Sequence, residues 1–505
     1  VTMELRKGKS LAELFPECRF DDVSGRTVPS EIFDDSRRVI PGALFCAVKG
    51  AHGSGEDFIS MAFEKGAKAV AKDTENTQSS WRVINTGNDQ LQIEFPRLKK
   101  NLAMLAANFF NHPANAMSSM VGVTGTNGKS SIVHMLEQAW RELGARSASM
   151  GTLGIRVGDA LVDDLGLTTP GAIQLQRSLH LLVDRDIQRV AMEVSSHGIH
   201  QYRVEGVPFS AKVLTNITRD HLDYHASFAE YAQVKLGFID SDQKCLRVLN
   251  WDDEHARQYA MDHPACDNVV SYSLADSRAT VFVENLRVTD SGFSGRVCSP
   301  WGSGDLVTSM RGSFSVSNLL AVISVLCGEG FELKAVLNAV AIVKAAPGRL
   351  EFVSSSPRGA DVFVDYAHTP DALLTVLQSL RPHTQGKIHL VFGCGGDRDQ
   401  GKRGVMGNIA SEYSDVIYVT SDNPRTEDPL KIVEDICAGI RDSKKIASTN
   451  VQRKQSIEEA LSKARKGDSV LIAGKGHENY QIVGTEKLPF SDHSVVREYS
   501  AERCH

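Results

Sequence analysis

No C-x-x-C pair occurs anywhere in the chain, and its nine cysteines are scattered singly. That argues against a cysteine-built zinc module or a spaced disulfide framework, and it predicts reduced, mostly buried thiols in a cytoplasmic protein. Long apolar runs are missing too; none approaches the ~20 residues needed to cross a bilayer. The opening "VTMELRKGKSLAELF" has no apolar stretch followed by small cleavage-site residues, so no secretion signal is expected. Positive charge is not in excess: the formal net charge of −6 argues against obligate nucleic-acid binding. There is no long repeat, low-complexity tract or obvious flexible linker. What remains is 42% hydrophobic and 23% charged, the balance of a globular protein, and 505 residues exceed what one core can organise.

Three segments separate by texture: 1–99, 100–347 and 348–505. The first mixes short strands with helices, as in "GALFCAVKG" followed by "GEDFISMAFEKGAKAVAKD". The second opens near the helical "PRLKKNLAMLAANFF" and carries strand candidates "MVGVTG", "RVAMEVS" and "AKVLTNI". "RATVFVENLRV" and "GFSGRVCS" read as an antiparallel pair, and "SVSNLLAVISVLCGEG" as a closing helix. The third alternates strand and helix: "DVFVDYA", "ALLTVLQSLR", "KIHLVFGC", "DVIYVTS", "PLKIVEDICAGI", "DSVLIAGKG". Such alternation predicts an α/β protein with βαβ units and parallel sheets.

"GVTGTNGKSS" is the strongest single motif. An apolar strand runs into a glycine-rich turn, then Lys129 and Ser130, then an amphipathic helix. Glycines let backbone N–H groups curl around phosphate, and the helix N-terminus adds partial positive charge. Lys129 is placed to neutralise β/γ-phosphates and Ser130 to reach magnesium. Val123 stands where the general pattern has glycine, so the match is not to the strict form. "VAMEVSSHGIHQYR" and "LTNITRDHLDYH" follow apolar strands, where α/β sheets present their sites. Glu193, His221 and Asp223 are oxygen or imidazole donors suited to magnesium beside a triphosphate. Cys394, in a glycine-rich loop, reads as a small apolar filler. "TSDNPRTEDP", read alone, is a turn carrying a solvated arginine.

Taken in order, "DDSRRVIPGALFCAVKGAHGSGEDF", "GTNGKSS", "EVSSHG", "TNITRDHLDYH", "PGRLEFV", "DYAHTPDAL" and "GKGHENYQ" resemble the Mur ligases across essentially the whole chain. The resemblance implies three domains: an amino-terminal UDP-binding α/β domain, a central P-loop ATPase domain and a carboxyl-terminal Rossmann-like domain. It implies ATP and Mg2+ as cofactors, and UDP-MurNAc-L-Ala-D-Glu and meso-diaminopimelate as substrates. The D-glutamate carboxylate would become an acyl phosphate, which the amine of the incoming amino acid displaces. It implies a cytoplasmic enzyme, with no nucleic-acid or membrane partner, and nothing in the sequence suggests more than a monomer.

The same resemblance implies residue roles. Gly125, Thr126, Asn127, Gly128, Lys129 and Ser130 form the phosphate loop. Ser36, Arg37 and His52 contact the uridine diphosphate end; Thr168, Thr169, Ser195, Gln201 and Arg203 hold the nucleotide-peptide substrate. Glu193 and His221 resemble magnesium-site residues, joined by Ser130 and by Lys235 as a carbamate; without that modification Lys235 reads as an ordinary helix-surface lysine. Asn318, Arg349, Asp365 and His368 resemble the ATP-binding set, with Ser315 departing from the usual Phe-Asn that precedes the asparagine. Arg398, Asp422, Asn423, Pro424, Arg425, Gly474 and Glu478 match the amino-acid pocket. There the Arg425 fork would pair with the far carboxylate of diaminopimelate, while Asp422 and Asn423 take its ammonium. Lysine would be rejected by roughly the several kcal/mol of a broken buried ion pair. The alternatives are a lysine-adding enzyme, a folate-extending relative, and a nucleotide switch that ligates nothing.

Overall fold

The computed structural model describes residues 8–50, 53–74, 82–85, 90–221, 223–263 and 268–501. They group into two units, residues 1–249 with 253–270, and residues 250–252 with 271–505.

The first unit contains two sheets. The amino-terminal one has the order Ile32–Phe33, Leu44–Ala47, Ala69–Thr74, Leu91–Pro96, Arg82–Asn85, parallel except for the last pair. Leu44–Ala47 is buried throughout, which is why "LFCA" reads as an unbroken apolar run. The helix Leu98–Phe109 turns Leu98, Leu102 and Leu105 into the same core as this sheet, joined by Ala172 and Ile173 of the helix Ala172–Asp184. The textural boundary near residue 99 is therefore not a boundary of packing.

The second sheet of this unit is centred on Ser119–Thr124, every residue of which is buried. It pairs in parallel with Ala211–Leu214 on one side and Arg189–Glu193 on the other, and Arg189–Glu193 pairs with Ser147–Gly151. Val123 lies in register with Val213 and Glu193, so it belongs to the strand and the turn starts only at Gly125. The helix Lys129–Glu142 then leaves the loop. It is buried at every position from Ser130 to Trp140, not on one face as its composition suggests.

In the second unit, Val281–Thr289 pairs antiparallel with Gly292–Ser299, as expected, and Gly302–Thr308 adds a third strand. A six-stranded sheet follows, in the order Glu351–Ser355, Asp361–Asp365, Ser469–Ala473, Ile388–Phe392, Val416–Val419, Ile446–Thr449. Only its first pair is antiparallel. Helices bury apolar cores on both faces, with Leu373, Leu377 and Ile436 on one side and Ile457, Leu461 and Val496 on the other. The late strand Ser469–Ala473 inserts between Asp361–Asp365 and Ile388–Phe392. That crossover brings the loops after Asp365, Phe392, Val419 and Ala473 to one edge, the place where open α/β sheets bind ligands. Among the described residues no helix is long and apolar enough to cross a membrane.

Candidate active site

In the first unit the site grows out of the phosphate loop. Gly125 has φ +143, and a Cβ there would lie 1.8 Å from the Thr215 Oγ1, so only glycine lets the loop close against the next strand. Gly128, at φ +87, precedes the helix that starts with Lys129. The loop is fixed from the neighbouring segment 215–218. Thr215 Oγ1 donates to the Asn127 carbonyl (2.6 Å), Asn216 Oδ1 accepts from Asn127 N (3.0 Å), and Thr218 N donates to Thr126 Oγ1 (3.0 Å). Lys129 Nζ folds back onto the carbonyls of Gly125 and Thr126, 2.8 Å from each.

Lys235 reaches the same place. In the helix Phe228–Asp240 the buried positions are Tyr231, Ala232, Lys235, Phe238 and Ile239, so the lysine occupies the apolar stripe. Its Nζ donates to the Gly125 carbonyl at 2.8 Å and lies 4.7 Å from the Tyr231 ring centre. The residue is 1% exposed, which overturns its reading as a helix-surface lysine. Burial, reinforced by Lys129 and opposed by Asp220, holds its ammonium well below the ordinary lysine range.

Glu193 is 2% exposed and accepts from Thr152 N (2.8 Å). Gly151 makes room for it, since a Cβ there would fall 2.2 Å from its Oε1. Thr169 Oγ1 donates to the Glu193 carbonyl (2.9 Å) and accepts from Ser195 N (2.9 Å), while Ser195 Oγ caps the next helix through Gly198 N. Arg203 Nη1 donates to the Thr169 carbonyl, and its Nη2 to Gln201 Oε1. Thr168 joins through Thr152 Oγ1 (3.1 Å). Thr168, Thr169, Glu193, Ser195, Gln201 and Arg203 thus form one connected network. His221 stands apart from it: its backbone is left-handed at φ +52, and its ring faces Asp220 (3.6 Å) and the edge of His197. Among the described residues no group of three or more His, Cys, Asp or Glu side chains is gathered for a metal ion. Ser36 is buried beside an exposed Arg37 that is chelated by Asp35. His52 lies outside the described residues.

In the second unit, Asp365 accepts from Leu350 N (2.5 Å) and Ala367 N (2.7 Å), and the Arg349 guanidinium lies 4.7 Å from the Tyr366 ring centre. His368 Nδ1 meets the Tyr366 carbonyl at 2.8 Å. Asn318 is buried within the helix Ser313–Gly328. The divergent Ser315 is also buried, and its hydroxyl donates to the Arg311 carbonyl (2.8 Å), so it serves its own helix end.

The "DNPR" turn follows Val416–Val419. Asp422 and Asn423 are buried, Arg425 is half-buried, and Arg398 is exposed. Arg425 is left-handed at φ +51 and is held by backbone bonds to Ile482 and Gly484 of a hairpin that the sequence did not reveal, Tyr480–Val483 with Glu486–Pro489. Its Nη1 donates to the Gly396 carbonyl (2.8 Å). Asn423 Oδ1 accepts from Ile482 N (2.9 Å) and Lys475 Nζ (3.2 Å), while its Nδ2 donates to Glu478 Oε2 (3.1 Å). Both lone pairs of that oxygen are used, so Asn423 offers a donor, not an acceptor for an ammonium. The acids here are Asp422 and Glu478. Gly474, at φ +119, leaves room for Asp422, whose Oδ2 would be 2.5 Å from a Cβ. Beneath them Arg453, fully buried, pairs with Asp492 through two 2.8 Å bonds and donates to the carbonyls of Ser421 and Ala473. Neither Lys475 nor Arg453 was singled out from the sequence. Cys394 is buried with its thiol pushed up to about 12 by burial, the inert filler expected.

Three family descriptions match the chain in order: the Mur ligase family catalytic domain over 31–110, the Mur ligase middle domain over 123–326, and the Mur ligase glutamate ligase domain over 348–476. The UDP-N-acetylmuramoyl-L-alanyl-D-glutamate–2,6-diaminopimelate ligase of Chromobacterium violaceum is 40% identical over 471 residues, covering 92% of each chain. The protein of that name from Geobacillus thermodenitrificans is 37% identical over 477 residues, 93% of this chain and 94% of its own. A solved structure of a protein with that name superposes with a TM-score of 0.72 at 32% identity, covering 99% of this chain and all of the other.

Proposed function

Because the chain belongs to the Mur ligase family, we propose that it joins 2,6-diaminopimelate to the D-glutamate of UDP-N-acetylmuramoyl-L-alanyl-D-glutamate, using ATP, in peptidoglycan-precursor assembly. The observation that carries this reading is the turn at 422–425. It sets the buried Asp422, the Asn423 amide with its half-buried partner Glu478, and the Arg425 guanidinium together, groups that suit an amino-acid centre with one ammonium and one carboxylate. The seven described cysteines are free thiols, in keeping with a cytoplasmic setting.

A carboxylate is a poor acyl donor. Attack of its oxygen on the γ-phosphorus of ATP breaks the bond to ADP and gives an acyl phosphate; the diaminopimelate amine then attacks the acyl carbon, and phosphate leaves. Lys129 unfolds from the loop carbonyls to neutralise the β/γ-phosphates. Thr169, Ser195, Gln201 and Arg203 orient the peptide carboxylate, and Glu193 stays fixed by Thr152.

A divalent cation tests the donor set. With Lys235 as an amine, two lysines crowd one carbonyl and the site does not suit Mg2+. Burial, however, holds the Lys235 ammonium well below the ordinary lysine range and so favours the amine, which would add to CO2: an N–C bond forms, a proton leaves, and an anionic carbamate results. With that group, Ser130 and Glu193 would add oxygen donors and His221, which stands apart from Glu193, an imidazole. Bound there, Mg2+ would offset phosphate charge. The test is to label the substrate's glutamate carboxylate with 18O. The ligase route transfers label to the released phosphate, whereas ATP hydrolysis by water leaves it unlabelled.

A further inference from the structure

Lys475 is 0% exposed. A buried lysine is costly unless it is paired, and this one has two partners: Glu478 Oε2 at 2.9 Å and Asn423 Oδ1 at 3.2 Å. Asn423 closes the triangle by donating to Glu478 Oε2 at 3.1 Å.

The chemistry of this triangle has one solution. Lysine only donates and an ionised carboxylate only accepts; the third neighbour, the Ile482 N–H at 2.9 Å, also only donates. The Asn423 amide must therefore keep its oxygen toward Lys475 and Ile482, and its nitrogen toward Glu478. Reversing it would set its NH2 against an ammonium and an N–H, and its oxygen against a carboxylate. The Ile482 N–H favours the same choice, and Lys475 adds to it twice, donating to the amide oxygen and holding the Glu478 carboxylate that accepts the amide N–H.

We propose that Lys475 is a positioning residue for amino-acid selection, turning the Asn423 amide so that its N–H faces the pocket beside Arg425. Resting on the ligase reading, this makes the pocket sort its ligand by polarity. A carboxylate meets the Asn423 N–H and the Arg425 fork, and an ammonium meets Asp422 and Glu478. An amino acid lacking the distal carboxylate leaves the donors unanswered.

The test compares Lys475→Met, which removes charge and donors, with Lys475→Gln, which keeps one donor toward Asn423. The readouts are KM for diaminopimelate, KM for ATP and for the UDP-peptide, and the kcat/KM ratio of diaminopimelate to lysine. Lys475→Met is expected to raise KM for diaminopimelate and lower the ratio, each by about 10- to 100-fold, with the other two KM values unchanged. Lys475→Gln is expected to recover most of the ratio. A Lys475→Met enzyme that melts earlier but keeps its ratio would overturn the proposal, as would equal losses in both variants. Should neither variant fold, the unaltered enzyme crystallised with diaminopimelate decides. A ligand carboxylate on Asn423 Nδ2 supports the assignment, and a ligand ammonium there refutes it. Absence of diaminopimelate-dependent activity in the unaltered enzyme would instead count against the ligase reading.

Discussion

Lys129 and Lys235 donate to the same atom: each Nζ lies 2.8 Å from the Gly125 carbonyl oxygen. Two ammonium groups converging on one carbonyl repel, and for Lys235, the more buried, burial reinforced by Lys129 holds the ammonium well below the ordinary lysine range. That direction favours the amine, the form that would add CO2 under the proposed carbamate. Enzyme stripped of CO2 and assayed in CO2-free buffer is expected to lose activity by about 10-fold or more, and to regain it with bicarbonate. Lys235→Met should be inactive in both buffers. Phosphate release is the measurement; equal rates with and without bicarbonate would speak against the carbamate.

Gly151 and Gly237 make a matched pair. A Cβ on Gly151 would sit 2.2–2.6 Å from three atoms of Glu193, a side chain already tied to Thr152. Gly237 is exposed in the helix Phe228–Asp240, with nothing within 4 Å of a Cβ. Gly151→Ala should destabilise by about 1–3 kcal/mol and reduce kcat, since Glu193 must move. Gly237→Ala should stabilise by roughly 0.5–1 kcal/mol through helix propensity alone. Thermal melting and kcat together separate the two effects.

The Arg453–Asp492 pair ties the Ser421 carbonyl and the strand end at Ala473 together beneath the proposed amino-acid pocket. Asp492→Ala leaves a desolvated guanidinium and is expected to cost about 3–5 kcal/mol. Arg453→Met with Asp492→Leu, which removes both charges, should cost distinctly less. Denaturant midpoints of the single and double variants measure the coupling.

Acid should loosen the loop that carries Arg398. Glu427 accepts two bonds from Arg403 (2.9 and 2.8 Å) and one from Asp397 N (2.5 Å); the Arg403 bonds, then Asp397, hold its carboxyl below the ordinary value. Asp397 is likewise held down, first by Thr426 N. A carboxyl lowered on folding adds stability that is fully present above its unfolded value, about pH 4, and is lost as pH falls through the folded value. Hydrogen-exchange protection of the Asp397 and Thr426 amides, corrected for intrinsic rates, is expected to drop below about pH 4 while that of Val391 persists.

How much of this was legible follows from the range of each signal. The phosphate loop was legible because strand, glycines, lysine and helix are contiguous. The sheets were legible because buried parallel strands such as Leu44–Ala47 and Ile388–Phe392 are unbroken apolar runs. Lys235 was found by resemblance, though its burial had a local sign: it shares the helical stripe of Tyr231, Phe238 and Ile239. Arg453 had no such sign, since its partner Asp492 is 39 residues away. Lys475 was quoted within "GKGHENYQ" but its contact with Asn423 spans 52 residues. The hairpin after Glu478 escaped because "EKLP" is exposed throughout and has no apolar alternation. The expected strength of lysine rejection is also revised: Arg425 is half-buried and already serves Gly396, so about 100-fold is a better figure than the full cost of a broken buried pair.

The most direct measurement is phosphate release from ATP and magnesium with UDP-N-acetylmuramoyl-L-alanyl-D-glutamate, comparing diaminopimelate with L-lysine in the unaltered enzyme and in Arg425→Ala. Release with diaminopimelate, about 100-fold weaker kcat/KM with lysine, and a gap that collapses in Arg425→Ala is the expected result. Equal release with lysine, or a preference that survives the loss of Arg425, would contradict the role given to that turn.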